Sequence, residues 1–566
     1  MAKSSLVAVS LLASLACARP ACDSKPVATV QNGSYYGVLN PTYNQDNFLG
    51  IPYAQPPTGD LRFRAPQPLN ESWDGLRNAT EYSPQCFGYG SDTWALGNYV
   101  SEDCLTINVV RPHGVGKGNN SAKLPVALWI HGGGLTNGGS SDPRYNLSRI
   151  VDQSVRMGRP MIAASMNYRL HAWGFLFSDE VRAAGAGNLG FRDQHLAIRW
   201  VRDNIAAFGG DPQQVTIWGE SAGARSVAAQ LFAFGGRDEG LYRAAIMQSG
   251  TGYETDFGEV DTGALTWQQY YDTLVSKTDC GAAADTLQCL REVPAWDLSN
   301  ILNSTASPTF SSPTVDGDFI RGPRWQMVRD GKFVHVPVII GTNFDEGTAF
   351  GTKGVNTTAQ WEAYLRSGGA GNATVAELSA LYPDDPSVGI PATFEGRPEG
   401  ELAGYGAMWK RVAAFAGDRG YQAPRRAWAA AWAAAGLPAY TYGFNVLSTG
   451  IPPISGSTHF QEVAYVFDNT AGLGYDTPVA VDPFGGKPEA YFRLADLMSR
   501  MWVSFVTTLD PNHHATAGSE GLAWPEYKSE GAQNLVFDAN VTTLAYEQAD
   551  DYRKEQFEYL QKKLWT

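Results

Sequence analysis

The stretch Val215–Ser226, VTIWGESAGARS, constrains this chain more than any other. Val215-Thr216-Ile217-Trp218 is a β-branched and aromatic run that suits a strand. Ala224 to Phe232 suits a helix. Between them one serine, Ser221, stands between Gly219 and Gly223 in the pattern G-x-S-x-G. A strand that turns into a helix this abruptly holds the serine on a tight bend above a sheet edge. The glycines allow the turn, and the new helix directs N–H groups and its positive dipole end at the serine. A serine hydroxyl is a weak nucleophile until a base takes its proton and an acid orients that base. The elbow therefore predicts a catalytic constellation elsewhere in the chain.

The same strand and helix signals recur along the sequence. Leu124–Ile130 (LPVALWI), Pro160–Asn167, Tyr242–Gln248, Val336–Gly341 and Tyr440–Val446 read as strands. Gly190–Phe208 reads as a helix with Ile198, Val201 and Ile205 on one face, ended by Gly209-Gly210-Asp211-Pro212. Ala427–Ala435 reads as a packed helix with Trp428 and Trp432 one turn apart. Alternation of this kind implies an α/β fold on a mostly parallel sheet. The 566 residues show no repeat and no low-complexity divider, so residues 19–566 are expected to form one large domain with insertions.

Residues 1–18 read as a secretory signal peptide. Lys3 is its positive start, Leu6–Leu15 its apolar run, and Ala16 and Ala18 the small residues of a cleavage site. Cleavage after Ala18 removes Cys17 and leaves Cys22; cleavage after Ala16 retains both. Glycosylation sequons at Asn32, Asn70, Asn78, Asn119, Asn146, Asn303, Asn356, Asn372 and Asn540 suit a secreted glycoprotein. In that compartment Cys86 with Cys104, and Cys280 with Cys289, are plausible disulfides. The net charge of −14 speaks against a nucleic-acid partner. No later apolar run is long enough to span a membrane, and the C-terminus QKKLWT carries no anchor tail.

His131-Gly132-Gly133-Gly134 follows a buried strand and exposes backbone N–H groups to a ligand, as an oxyanion loop does. The N–H of Ala222 is a second natural donor. For the base, the order serine, acid, histidine leaves His459, His513 and His514. His459 lies in a loop of small residues after a strand. His513 and His514 lie in a solvated-looking turn, so His459 is preferred. For the acid, VPVIIGTNFDEGTAF ends a strand on Asp345 and Glu346, and spacing does not choose between them.

With these pieces in place, the chain resembles the type-B carboxylesterase/lipase family, which includes cholinesterases and fungal secreted lipases. The resemblance runs from Gly37 to Tyr527 through FLGIPYAQPPTGDLRFRAPQP, SEDCLTINVVRP, WIHGGG, NYRLHAWGFL, DNIAAFGGDPQQVTIWGESAGA, IMQSGT and VIIGTNFDEGT. It implies an α/β-hydrolase fold and a secreted enzyme that hydrolyses carboxylic esters. It implies the triad Ser221, Glu346 and His459, and oxyanion donors Gly133, Gly134 and Ala222. It also implies disulfides Cys86–Cys104 and Cys280–Cys289, ion pairs Arg62–Glu102 and Arg169–Asp193, and Glu220 and Ser249 beside the triad. No metal or cofactor is implied, and the expected partner is a small-molecule or lipid ester. The family pattern sets no oligomeric state.

Two departures bear on substrate. Leu135 stands where an aromatic is usual, which predicts an altered pocket wall. The Cys86–Cys104 loop is shorter than a lipase lid, which favours an esterase over a true lipase or sterol esterase. Its aromatics Tyr89, Trp94 and Tyr99 are expected at the pocket rim. A non-catalytic binding member of the fold is the reading from another class, and the three filled triad positions argue against it.

Overall fold

A computed structural model describes residues 25–90, 97–116, 123–251, 257–260, 262–263, 265–304, 310, 312–477, 480–516, 518–519 and 521–565. The signal sequence, Cys17, Cys22, Trp94 and the sequon at Asn119 lie outside these residues.

The centre is an eleven-stranded sheet. Its strands are β1 (Val38–Asn40), β2 (Gln45–Pro52), β3 (Thr106–Pro112), β4 (Leu124–Ile130), β5 (Ile162–Met166), β6 (Gly210–Glu220), β7 (Ala244–Gln248), β8 (Val338–Asn343), β9 (Ala439–Phe444), β10 (Gln533–Phe537) and β11 (Ala545–Ala549). Their spatial order is β11-β10-β9-β8-β7-β6-β4-β5-β3-β2-β1. The seven strands from β10 to β5 pair in parallel. Antiparallel pairs close both flanks.

Parallel strands must be apolar on both faces, because helices cover both. Period-two alternation then sorts each strand between two cores. Val126, Leu128 and Ile130 of β4, with Val215 and Ile217 of β6, enter one core. Ala127 and Trp129, with Trp218, enter the other. On the first face lie helix α1 (Leu189–Asn204), helix α2 (Ala222–Gly236) and helix α3 (Ala423–Ala434). Ile198, Val201 and Ile205 are all fully buried, as the helical spacing predicts. In α3, Trp428 and Trp432 stack with ring centroids 5.5 Å apart, and the Trp432 indole donates to the Val336 carbonyl. On the second face lies helix α4 (Glu489–Thr508), and Trp218 stacks on Phe467 between the layers. The strand expectations all correspond to strands of this sheet, with ends shifted by a few residues, as backbone pairing rather than side-chain pattern sets a strand's limits.

Both disulfides form, with Cα separations of 5.0 Å for Cys86–Cys104 and 5.5 Å for Cys280–Cys289. Arg62 joins the two loops. It forks onto Glu102, two residues before Cys104, and donates to the carbonyls of Leu290 and Val293 just beyond Cys289. Arg169 forks onto Asp193 in the same bidentate way, and both pairs are buried. Removing one partner of such a pair strands a charge and typically costs about 3–5 kcal/mol. No helix of the described residues is long and apolar enough to cross a membrane.

Candidate active site

Four loops at the carboxyl ends of β4, β6, β8 and β9 meet over the sheet, where open α/β sheets gather ligand chemistry. The loop after β4 carries Gly132–Gly134, the turn after β6 carries Ser221, the loop after β8 carries Glu346, and the segment after β9 carries His459.

Ser221 takes φ 55° and ψ −121° at the start of α2. Such a conformation costs roughly 1–3 kcal/mol in a non-glycine residue and persists only where the surroundings over-determine it. The surroundings do so here. The Ser221 N–H donates to the Gln248 carbonyl at 2.8 Å, and its carbonyl accepts from the Arg225 N–H at 2.9 Å. The flanking glycines serve close approach rather than the turn itself. A Cβ on Gly219 would lie 2.5 Å from the Gly223 carbonyl carbon, and one on Gly223 would lie 2.0 Å from the Ile130 oxygen. Strand β4 and the elbow therefore touch backbone to backbone, and the left-handed residue is the serine.

The hydroxyl of Ser221 lies 2.7 Å from His459 Nε2, and His459 Nδ1 lies 2.6 Å from Glu346 Oε2. A carboxylate can only accept, so Nδ1 carries the proton and Nε2 is left to accept from the hydroxyl. Glu346 is fully buried and its other oxygen accepts from the Asn343 N–H at 2.8 Å. Asp345 points elsewhere. Its carboxylate accepts from the Ser457 N–H at 2.8 Å, tying down the loop that leads to His459. The geometry thus separates the two carboxylates that spacing left open.

Gly133 (φ 97°) and Gly134 (φ 65°) both need left-handed backbone, and a Cβ on Gly133 would lie 2.2 Å from the Asn137 carbonyl. Gly133, Gly134 and Ala222 line the same cavity as Ser221 and His459, which has a volume of about 640 Å³. Leu135 does not line it. That residue is buried in the core, so the expected change of pocket wall is not found there. Tyr89 donates to Ser299 and packs edge-on against His171, and Tyr99 is exposed; neither lines this cavity. The aromatic wall comes instead from Tyr145, Phe350, Tyr364, Tyr421 and Phe460.

The other histidines separate cleanly. Burial pushes His131 and His171 down to about 4, which keeps both neutral. His131 stacks on Tyr168 and bonds the Gly132 carbonyl, so it braces the glycine loop. His513 is exposed, but His514 is buried against Thr516 and Leu522; the expected solvated turn holds only one of the pair.

Two further carboxylates surround His459. Glu220 is buried, and its Oε1 comes within 3.3 Å of Nε2 without hydrogen-bond alignment. Burial raises it well above the carboxylate range, a shift that His459 opposes and the Glu462 and Glu346 charges reinforce. Glu462, which sequence reading missed, accepts from Asn343 Nδ2 at 2.8 Å and Gln248 Nε2 at 3.1 Å. Asn343 Nδ2 also donates to the Thr458 carbonyl, so one residue holds Glu346 through its backbone N–H and Glu462 and the histidine loop through its side chain. The only sequence signal for Glu462 is its place three residues after His459. Ser249, expected beside the triad, is buried at φ 53° after β7; its hydroxyl has no hydrogen-bond partner among the described residues.

Burial of the His459 ring opposes its charged form, but the Glu346 and Glu220 carboxylates outweigh this and push it up to about 9. A protonated Glu220 contributes less of that pull. If His459 is the base, it must be neutral to act, so kcat/KM should rise with pH along a limb centred between 6.5, the ordinary histidine value, and 9. A limb centred below 6.5 in the pH profile of kcat/KM would show that Glu346 is not paired with the working base.

Comparison with known proteins finds relatives over nearly the whole chain. The profile of the carboxylesterase family matches residues 24–560. The chain is 36% identical to Lipase 4 of Diutina rugosa over 94% of this chain and 95% of that one. It is 34% identical to Secreted lipase 1 of Botryotinia fuckeliana strain B05.10, over 95% of this chain and 92% of that one. Among solved structures, Aspergillus niger EstA superposes with a TM-score of 0.78 at 28% identity, over 96% of this chain and 99% of that one.

Proposed function

Because the chain belongs to the carboxylesterase family and is therefore a carboxylic ester hydrolase of α/β-hydrolase fold, we propose that Ser221, His459 and Glu346 carry its chemistry. The observation that carries this reading is the unbroken line from Ser221 Oγ to His459 Nε2 and from Nδ1 to Glu346 Oε2. As the Ser221 oxygen attacks the ester carbonyl, Nε2 takes its proton and Glu346 stabilises the imidazolium. The N–H groups of Gly133, Gly134 and Ala222 receive the developing oxyanion; one such donor is typically worth about 3 kcal/mol in the transition state. The imidazolium returns its proton to the departing alkoxide, leaving an acyl-enzyme. Water, deprotonated by His459, then releases the acid and restores the serine.

The preferred substrates are soluble or short-chain esters. This rests on the short disulfide loop, with Cys86 and Cys104 18 positions apart, and on the structural likeness to proteins named as esterases. The test is a series of p-nitrophenyl and triglyceride esters of graded chain length. The rate on a short-chain ester should rise smoothly through its solubility limit, and a jump when emulsion forms would restore the lipase reading. The working compartment is extracellular. The leader-like N-terminus, two disulfides and relatives named as secreted support this.

A further inference from the structure

The catalytic cavity is lined by three arginines, Arg144, Arg225 and Arg419, although hydrolysis of a neutral ester needs none of them. Arg144 is accounted for. Its guanidinium is held by both oxygens of Asp142 at 2.6–3.1 Å. Arg225 and Arg419 are different. Both are partly buried, and among the described residues neither forms an ion pair with a carboxylate; Arg225 engages the Tyr421 hydroxyl instead. Arg225 lies over the Tyr421 ring at 5.9 Å, and Arg419 over the Phe415 ring at 5.2 Å. Arginines with structural duties in this chain look otherwise: Arg62, Arg169, Arg425 and Arg553 each bind a carboxylate.

Their placement follows from the backbone. Arg225 stands one turn along α2 from Ser221, so it lies on the elbow helix itself. Arg419 and Tyr421 lie on a π-helical turn, Asp418–Gln422, set between the helix Trp409–Gly417 and α3. Such turns are rare and recur at functional sites, because the extra residue re-aims its side chains. Here Arg419, Gly420 and Tyr421 all reach the cavity. Tyr421 also stands 5.3 Å from the His459 ring, so the two guanidinium groups flank an aromatic wall of the reaction centre. Among the described residues, the acidic side chain lining the cavity is Glu220, which burial biases toward its neutral form. Two guanidinium groups that meet no carboxylate among the described residues, with Arg225 set against the Tyr421 hydroxyl, match a planar carboxylate attached to a short carbon chain.

We propose that the preferred substrates are esters that carry a free carboxylate besides the scissile ester, with Arg225 and Arg419 binding that carboxylate. This rests on the ester-hydrolase reading of the same cavity and specifies its substrate class. Both groups would act in binding, so the preference should appear mainly in KM.

The test pairs esters matched in length. Monoethyl adipate is compared with ethyl hexanoate, and 4-hexanoyloxybutanoate with butyl hexanoate, by acid release at constant pH. The first pair places the carboxylate on the acyl side and the second on the alcohol side. The expected result is at least about a tenfold preference in kcat/KM for the charged ester of one pair, carried by KM. The double variant Arg225→Gln/Arg419→Gln should lower that ratio at least about tenfold, and Arg225→Lys/Arg419→Lys should restore part of it. Adipate binding followed by calorimetry should weaken about tenfold in the glutamine variant, a readout that needs no turnover. A wild-type ratio at or below one in both pairs, or a ratio and adipate affinity unmoved by the glutamine variant, overturns the proposal. Inhibition by inorganic phosphate but not by adipate overturns it in favour of a phosphate-bearing ligand. If none of the four esters is hydrolysed, the ester-hydrolase reading fails instead, and adipate binding still decides the role of the arginines.

Discussion

Ser221→Ala is expected to lower kcat on a short-chain ester by about six orders of magnitude while leaving the protein folded. The size follows from the way a triad works as a unit: removal of the nucleophile in another serine hydrolase cost about 10⁶-fold, and what remained came from binding and the oxyanion donors. The fold should survive because alanine meets the same backbone demand at φ 55° as serine does. The bonds that hold the elbow run through the Ser221 backbone, to Gln248 and from Arg225. The side chain contributes one hydrogen bond, to His459, typically worth about 1 kcal/mol net. An organophosphate should inactivate the wild type with one label per chain on the Ser221 peptide, and should leave Ser221→Ala unlabelled. A variant within tenfold of wild type, or a label on Ser226 or Ser249, would remove Ser221 from the reaction.

The sequence displayed those parts of the site that depend on local structure. The elbow was legible because its strand, its glycines and its helix are adjacent, and because G-x-S-x-G has a steric meaning there. The meaning differed in one respect: the glycines admit the neighbouring β4 backbone, while the serine itself takes the left-handed conformation. The glycine loop was legible for the same local reason. What depends on long-range packing was not. Residue pattern alone left Asp345 and Glu346 equivalent, because the difference lies in where the 457–459 segment passes, more than 100 residues away. Glu462 was missed because its partners, Asn343 and Gln248, sit at the ends of two other strands. Arg225 and Arg419 were unremarkable in sequence, and a π-helical turn inside a helical run carries no clear composition signal. Leu135 misled because a position after the glycines was read as pocket wall, whereas the turn at φ 60° sends that side chain into the core.

Glu346→Gln is expected to lower kcat by about four orders of magnitude, and Asp345→Asn by less than tenfold. Adjacent carboxylates at a strand end usually resist such a separation; here the contacts make it. Glu346 binds the ring nitrogen that must keep its proton, so glutamine offers an amide that can face His459 with either a donor or an acceptor. Its donor face would favour the wrong tautomer, and in either orientation it no longer stabilises the imidazolium. The equivalent change in another triad cost about 10⁴-fold with geometry intact. The Glu346 charge also helps hold His459 high, so the residual activity should show its acidic limb at lower pH than the wild type. Asp345 has a different task. Burial raises it to about 6, and its carboxylate accepts from the Ser457 N–H while its own N–H donates to the Ser457 carbonyl. A Cβ on Gly456 would lie 2.2 Å from the Asp345 oxygen, so this contact leaves no slack in the loop. Asparagine keeps one acceptor oxygen, and the loss should appear as a lower melting temperature with a nearly normal pH profile. Both variants need to be compared as folded, secreted protein, checked by circular dichroism and thermal melting. A folded Asp345→Asn enzyme that is inactive beside a nearly normal Glu346→Gln enzyme would move the acid by one residue and break the assignment of the triad.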